Sequence, residues 1–169
     1  MKNIHYYFLL IILLVNCTNK VEETPTAIKE KVNPRSTEKI AVIDKQIIHE
    51  YVALQTEMQF DSTESGIFYA IENKGLGAPP TDSSFVTVHY ALYLVDGTEI
   101  ENTFEKGNPS KFQVGKVIPG WKESLKLLGV LGKGTFVIPS GLGYGMQSVN
   151  GMPRNAILVF DIEILEIQD

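Results

Sequence analysis

Apolar and polar positions follow four successive rhythms along this chain. From Tyr6 to Val15 the sequence is an apolar run behind the charge of Lys2. At about ten residues it is too short to cross a ~30 Å hydrocarbon core as a helix, but it suits the hydrophobic region of a signal peptide. Between Thr18 and Lys39 the residues are polar, with Pro25 and Pro34 and no apolar period, which predicts a flexible tether over 18–39. Residues 40–60 then take up a helical period. Ile43, Ile47, Tyr51 and Leu54 recur three or four apart, with Ile48 beside them and no Pro or Gly between. This predicts one amphipathic helix whose apolar stripe docks on the following domain; pairing with a second copy is the alternative.

After Asp61 the period falls to two. Ile67, Tyr69 and Ile71 share one face of a strand that Gly75-Leu76-Gly77-Ala78-Pro79-Pro80 ends. Val86, Val88, Tyr90, Leu92 and Leu94 alternate with Thr87, His89, Ala91 and Tyr93 in a second strand. Asp96-Gly97 is a tight-turn signal before a short strand from Thr98 to Thr103. Phe112 and Val114 mark the next strand. Trp121, Leu125 and Leu128 lie on one stripe of a helix, with Gly129 as its C-terminal stop. Thr135 to Ile138 is a further strand, and Leu158, Phe160, Ile162 and Ile164 line the inner face of the last, with Asp161 and Glu163 facing water. Antiparallel strands with one short helix predict an α+β domain over 61–169, a half-barrel sheet curled around that helix and preceded by the 40–60 helix.

Composition narrows the possibilities without adding a site. A chain of 169 residues with 44% apolar content can bury one good core. A formal net charge of -5, scattered in sign, excludes the basic face that a nucleic-acid partner needs. His49 and His89 stand apart without ligand-type spacing, and His5 lies in the apolar leader, so neither metal nor cofactor chemistry is predicted. The single cysteine, Cys17, cannot form an intramolecular disulfide.

Cys17 has another use. The run ends in Leu14-Val15-Asn16-Cys17, which resembles a bacterial lipobox, with Asn16 where a small residue is usual. The resemblance implies a lipoprotein signal peptide over 1–17 and acylation of Cys17. Several acyl chains hold a protein to a membrane where one alone is marginal. Lys20-Val21-Glu22-Glu23 reads as solvated linker and is also similar to the acidic export signals of Bacteroidota surface lipoproteins. The implied location is the cell envelope, anchored by lipid in the outer membrane on its periplasmic side or at the cell surface.

Lys111-Phe112-Gln113-Val114-Gly115-Lys116-Val117-Ile118-Pro119-Gly120-Trp121 is the most informative segment. It carries the only tryptophan, at a turn that opens a helix. Read together with Val86-Thr87-Val88-His89-Tyr90, Gly143-Tyr144-Gly145 and Leu158-Val159-Phe160, it resembles the FK506-binding-protein (FKBP) type of peptidyl-prolyl cis–trans isomerase, from about Ser65 to Ile167. That resemblance implies an aromatic pocket that needs neither nucleophile nor metal. Tyr90 would form one wall and Trp121 the floor under the proline ring. The Tyr144 hydroxyl would meet a substrate carbonyl, and Phe160 would close the pocket. Val117 and Ile118 match the pair leading into the helix, where the Ile118 N–H meets a ligand carbonyl. Phe112 adds to the substrate wall, and Met152 stands where the family has an isoleucine.

Two positions depart from the family pattern. Ile100 and Glu101 stand where a phenylalanine and an aspartate are usual, so a wall loses an aromatic face and a carboxylate gains a methylene that moves it relative to Tyr90. Ala91-Leu92 also replaces the Thr-Gly that commonly follows the tyrosine. The implied partners are proline-containing polypeptide clients, an FK506-type macrolide and the membrane through the anchor, with the chain monomeric. Members of the family in gliding bacteria serve secretion and motility machinery, and this chain is similar to that type. Two functions of different class follow: isomerisation of X-Pro bonds in envelope or exported proteins, or capture of proline segments by a catalytically weak chaperone module.

Overall fold

A computed structural model describes residues 34–149 and 151–169. The predicted signal peptide, Cys17, and the tether up to residue 33 lie outside the described residues. The first element, α1, spans Pro34–Leu54. It begins inside the segment predicted as tether, because a proline at the first helical position gives up only an N–H that has no partner there anyway. It also ends before residue 60: Gln55 N–H turns back to the Val52 carbonyl (3.1 Å) and Met58 N–H to that of Gln55 (3.2 Å).

Seven strands follow, all paired antiparallel: β1 (Asp61–Ser62), β2 (Phe68–Asn73), β3 (Phe85–Leu94), β4 (Glu99–Asn102), β5 (Ser110–Gln113), β6 (Lys133–Ile138) and β7 (Leu158–Gln168). Their order across the sheet is β1-β2-β6-β7-β3-β4, with β5 also on β3. Long β3 therefore carries two short strands in succession along one edge, β5 beside Phe85–Val88 and β4 beside Ala91–Tyr93. Between them the chain makes a helical turn, α2 (Thr103–Lys106), where the sequence pattern predicts strand to Thr103. Asn102 caps it, its Oδ1 accepting from Phe104 N–H (3.1 Å) and Glu105 N–H (3.2 Å), and Gly107 closes it at φ 61°. Asparagine before and glycine after are the usual start and stop of a helix. Val114, predicted as strand, opens the 3-10 turn Val114–Lys116 and is fully buried.

Helix α3 (Pro119–Leu125) lies in the curl of the sheet. Its Trp121 and Leu125, with Leu128 in the turn beyond, join Val86, Val88, Phe136, Leu158, Ile162 and Ile164 in the main core. Gly120 permits the close approach: a Cβ there would collide with Cγ2 of Ile138. The helix stops at Leu125, ahead of the predicted stop at Gly129. Gly129 instead lets its backbone back onto the Leu76 carbonyl, beside the Leu76–Val130 bridge.

The opposite face of the sheet is covered at one end by α1. Ile48 packs with Val137, Ile157 and Val159, and Tyr51, Val52, Phe60, Phe68 and Tyr93 surround them. The docked face is not the stripe that periodicity predicts. Ile43, Ile47 and Leu54 are 55%, 36% and 78% exposed, whereas Asp44 is 4% exposed. A polar residue takes a core position because it finds partners there, described below.

Candidate active site

The predicted pocket residues are scattered over β3, β4, β5, α3, β7 and two loops, and the fold brings them to one cavity. Tyr90, Ile100, Glu101, Phe112, Val117, Ile118, Trp121, Tyr144, Met152 and Phe160 all line a cleft of about 540 Å³ between α3 and the inner face of the sheet. Leu92, Lys106 and Lys116 complete its lining. Sequence reasoning missed these three. Leu92 follows from the alternation of β3, but the two lysines reach the mouth only because of the α2 turn and the 3-10 turn before α3.

Trp121 is the centre of an aromatic cage. Its ring lies 5.2 Å from Tyr90, 5.1 Å from Phe112 and 5.3 Å from Phe160, all edge to face. Such T-shaped pairs set a positive ring edge against a negative ring face and add to the burial of each ring. The indole is 4% exposed, and its Nε1 has no hydrogen-bond partner among the described residues.

One wall is fixed by charge. The Tyr90 hydroxyl donates to Glu101 Oε2 at 2.6 Å, and Lys106 Nζ lies 3.4 Å from Oε1 of the same carboxylate. The extra methylene of glutamate thus does not part the carboxylate from Tyr90, because Glu101 reaches across from β4, which pairs beside β3 at Leu92. Burial, and then the bond to Glu101, raise the Tyr90 pKa far above the ordinary tyrosine value. The bond from Tyr90 holds the Glu101 carboxyl below the usual carboxylate range, against partial desolvation and with help from Lys106. Tyr90 is therefore neutral and Glu101 ionised at neutral pH.

The backbone beneath Tyr90 is pinned by a residue that sequence reasoning did not single out. Thr103 is buried, and its hydroxyl accepts from Tyr90 N–H (2.8 Å) and donates to the Tyr90 carbonyl (3.1 Å). It stands in for a ladder partner in the gap between β5 and β4, and His89 Nδ1 lies 3.1 Å from the same oxygen. The signal was the asparagine-capped turn Asn102 to Gly107.

A larger depression, about 620 Å³, lies on the outer face between Glu57–Gln59 and Phe104. Its lining includes Glu72, Lys133 and Asp161, and it holds none of the predicted pocket residues. The aromatic cleft is the better candidate, because it is an apolar hollow with a few placed polar groups.

A curled antiparallel sheet with a tryptophan-floored cleft over one short helix is the architecture of FK506-binding proteins. Residues 77–165 match the family described as FKBP-type peptidyl-prolyl cis-trans isomerase, over half of the chain, and the chain belongs to that family. It is 40% identical to the FKBP-type isomerase FkpA of Aeromonas hydrophila over 132 residues, 78% of this chain and 49% of that protein. The crystal structure of FkpA from Escherichia coli superposes with a TM-score of 0.68 at 34% identity, covering 79% of this chain and 63% of that one. A peptidyl-prolyl isomerase from Pseudomonas syringae pv. tomato shares the fold, with a TM-score of 0.65 at 24% identity and coverage of 79% and 96%. The chain spans about half the length of the curated relatives it matches.

Proposed function

We propose that this chain is a peptidyl-prolyl isomerase that turns over X-Pro bonds in polypeptide clients of the cell envelope. The observation that carries the reading is the cage around Trp121, an apolar floor ringed by Tyr90, Phe112 and Phe160 in a cleft sized for a proline and its neighbours. The barrier to isomerisation is amide resonance, ~18–20 kcal/mol. The planar amide is the charge-separated form, so an apolar cage solvates it less well than the twisted transition state and lowers the barrier by that difference.

In this scheme the proline ring rests on Trp121 between Phe112 and Phe160, with Val117, Ile100 and Met152 closing the sides. The client's carbonyls are met by the Tyr144 hydroxyl and the Ile118 N–H. Tyr90 acts as wall, since its one O–H already donates to Glu101. An FK506-type macrolide would fill the same cleft. The domain over 61–169 does the chemistry. The segment 1–17 exports and anchors it and the stretch from residue 18 to the start of α1 tethers it, with Cys17 as the acylation point of a lipoprotein of the Bacteroidota, gliding-machinery type.

Two measurements test this. A protease-coupled assay on a Phe-Pro peptide should show faster cis–trans exchange; saturable peptide affinity without faster exchange would leave only a proline-binding module. Metabolic palmitate labelling should be present in the parent and absent in Cys17→Ser, and labelling that survives the substitution removes the anchor.

A further inference from the structure

The outer helix reaches the inner cleft through one buried carboxylate. Asp44 lies on the face that α1 turns to the sheet, and its Oδ2 accepts two hydrogen bonds from a single residue, Ser140: one from the backbone N–H at 2.8 Å and one from Oγ at 2.7 Å. Ser140 opens the 3-10 turn Ser140–Leu142 and is itself buried. Its carbonyl accepts from Gly143 N–H (3.1 Å) and from Gly145 N–H (3.0 Å), the two residues that flank Tyr144. One side of Ser140 is thus held by α1, and the other holds both shoulders of the tyrosine loop. Gly145 takes φ +55°, a left-handed conformation that glycine adopts at little cost and that sends the chain back toward Ser140.

A carboxylate is a poor choice if the only task is to stick α1 to the sheet. Burying a charge is costly, and a packed apolar side chain such as neighbouring Ile48 adheres at least as well. What two charge-assisted bonds to one residue add is fixed direction. The consequence is felt at the loop beyond Ser140, which carries Tyr144, a residue that lines the cleft.

We infer that Asp44 is a positioning residue for Tyr144: through Ser140, α1 sets where the tyrosine hydroxyl meets the client carbonyl. The inference rests on the isomerase reading, in that it takes Tyr144 as the residue that meets the client.

A double-mutant cycle on the full chain separates positioning from mere stability. Asp44→Ala should lower kcat/KM about tenfold, as should Tyr144→Phe, while the double mutant loses little more than either alone, since residues acting as one unit are not additive. Asp44→Asn, which keeps an acceptor oxygen, should recover most of the loss. Losses that simply multiply, or an Asn variant as poor as Ala, overturn the inference. If Asp44→Ala does not fold, Ser140→Ala removes the hydroxyl bond alone and enters the same cycle. A parent without turnover ends the isomerase reading but not this test. The cycle is then read on the affinity of FK506, followed by Trp121 fluorescence, where non-additive losses support the positioning role and additive ones overturn it.

Discussion

The Tyr90 hydroxyl and the Glu101 carboxylate meet at 2.6 Å across the β3–β4 edge, the shortest polar contact in the cleft wall. It joins a group whose pKa is pushed up to one whose pKa is pushed down. Both shifts favour the same pair of states, neutral phenol and ionised carboxylate.

The pH dependence follows from their signs. Glu101 is lowered in the folded chain, so its contribution is complete above the unfolded carboxylate value and is lost as pH falls through the lowered folded one. Tyr90 is raised, so its contribution is complete below the unfolded phenol value near 10 and is lost as pH rises beyond it. Turnover should therefore be flat across the neutral range and fall only at acid pH below the usual carboxylate range. A kcat/KM profile from about pH 3 to 9 checks this; an inflection near neutrality would mean that another group governs the wall. Glu101→Asp, which draws the carboxylate back by one methylene, should lower kcat/KM in the same assay by up to about a hundredfold.

Thr103 supports that wall from beneath. Replacing it with valine keeps the volume but leaves the buried Tyr90 N–H and carbonyl without their partner. The cost should be about 1–3 kcal/mol, with Thr103→Ser close to the parent. Urea midpoints at constant m-value measure it. Equal midpoints for valine and serine would show that the strand gap closes without the hydroxyl.

Much of this fold is written in periods of two. Val86, Val88, Tyr90 and Leu92, and Leu158, Phe160, Ile162 and Ile164, sit on the core face as their alternation predicts, because each strand has one face against α3 and a mismatch of one residue would expose every side chain. Helix α1 was legible as a helix but not in its orientation. Periodicity weighs Ile43 and Ile47 above Asp44, and only a serine 96 residues away explains why the aspartate is inside. The α2 turn was hidden for a similar reason. Its cap and stop are local signals, but the need for it, a gap in the partner strands of β3, is tertiary. The cleft was legible by family resemblance in its aromatic residues, while Lys106 and Lys116 reach it, and Thr103 supports it from beneath, through turns that no period marks.

Gly120 offers a test in which local propensity and packing disagree. Alanine is a better helix former than glycine by about 1 kcal/mol. Yet its methyl would run into Ile138 across the face where α3 lies on β6. Packing should win, with a net loss of about 1–3 kcal/mol typical of an overfilled core. Thermal unfolding reads the sign directly. A stabilised Gly120→Ala would show that α3 can lift from the sheet at no cost, and the cleft floor with it.

Trp121 is both the floor and a built-in reporter, being the only indole in the chain. A saturating proline peptide or FK506-type macrolide should shift or quench its emission, because the ring lies at the bottom of the cleft with Nε1 unpaired among the described residues. Trp121→Ala should remove that binding and also cost about 3–5 kcal/mol, the usual loss for a large buried aromatic ring. The two effects are separable with Trp121→Phe, which keeps most of the buried area and forfeits the indole's breadth and donor. This variant should stay folded near the parent's urea midpoint while calorimetric affinity for the macrolide falls. Full affinity in a folded Trp121→Phe would show that any flat ring suffices as floor. Unchanged emission in the parent at saturating ligand would place the bound proline away from Trp121.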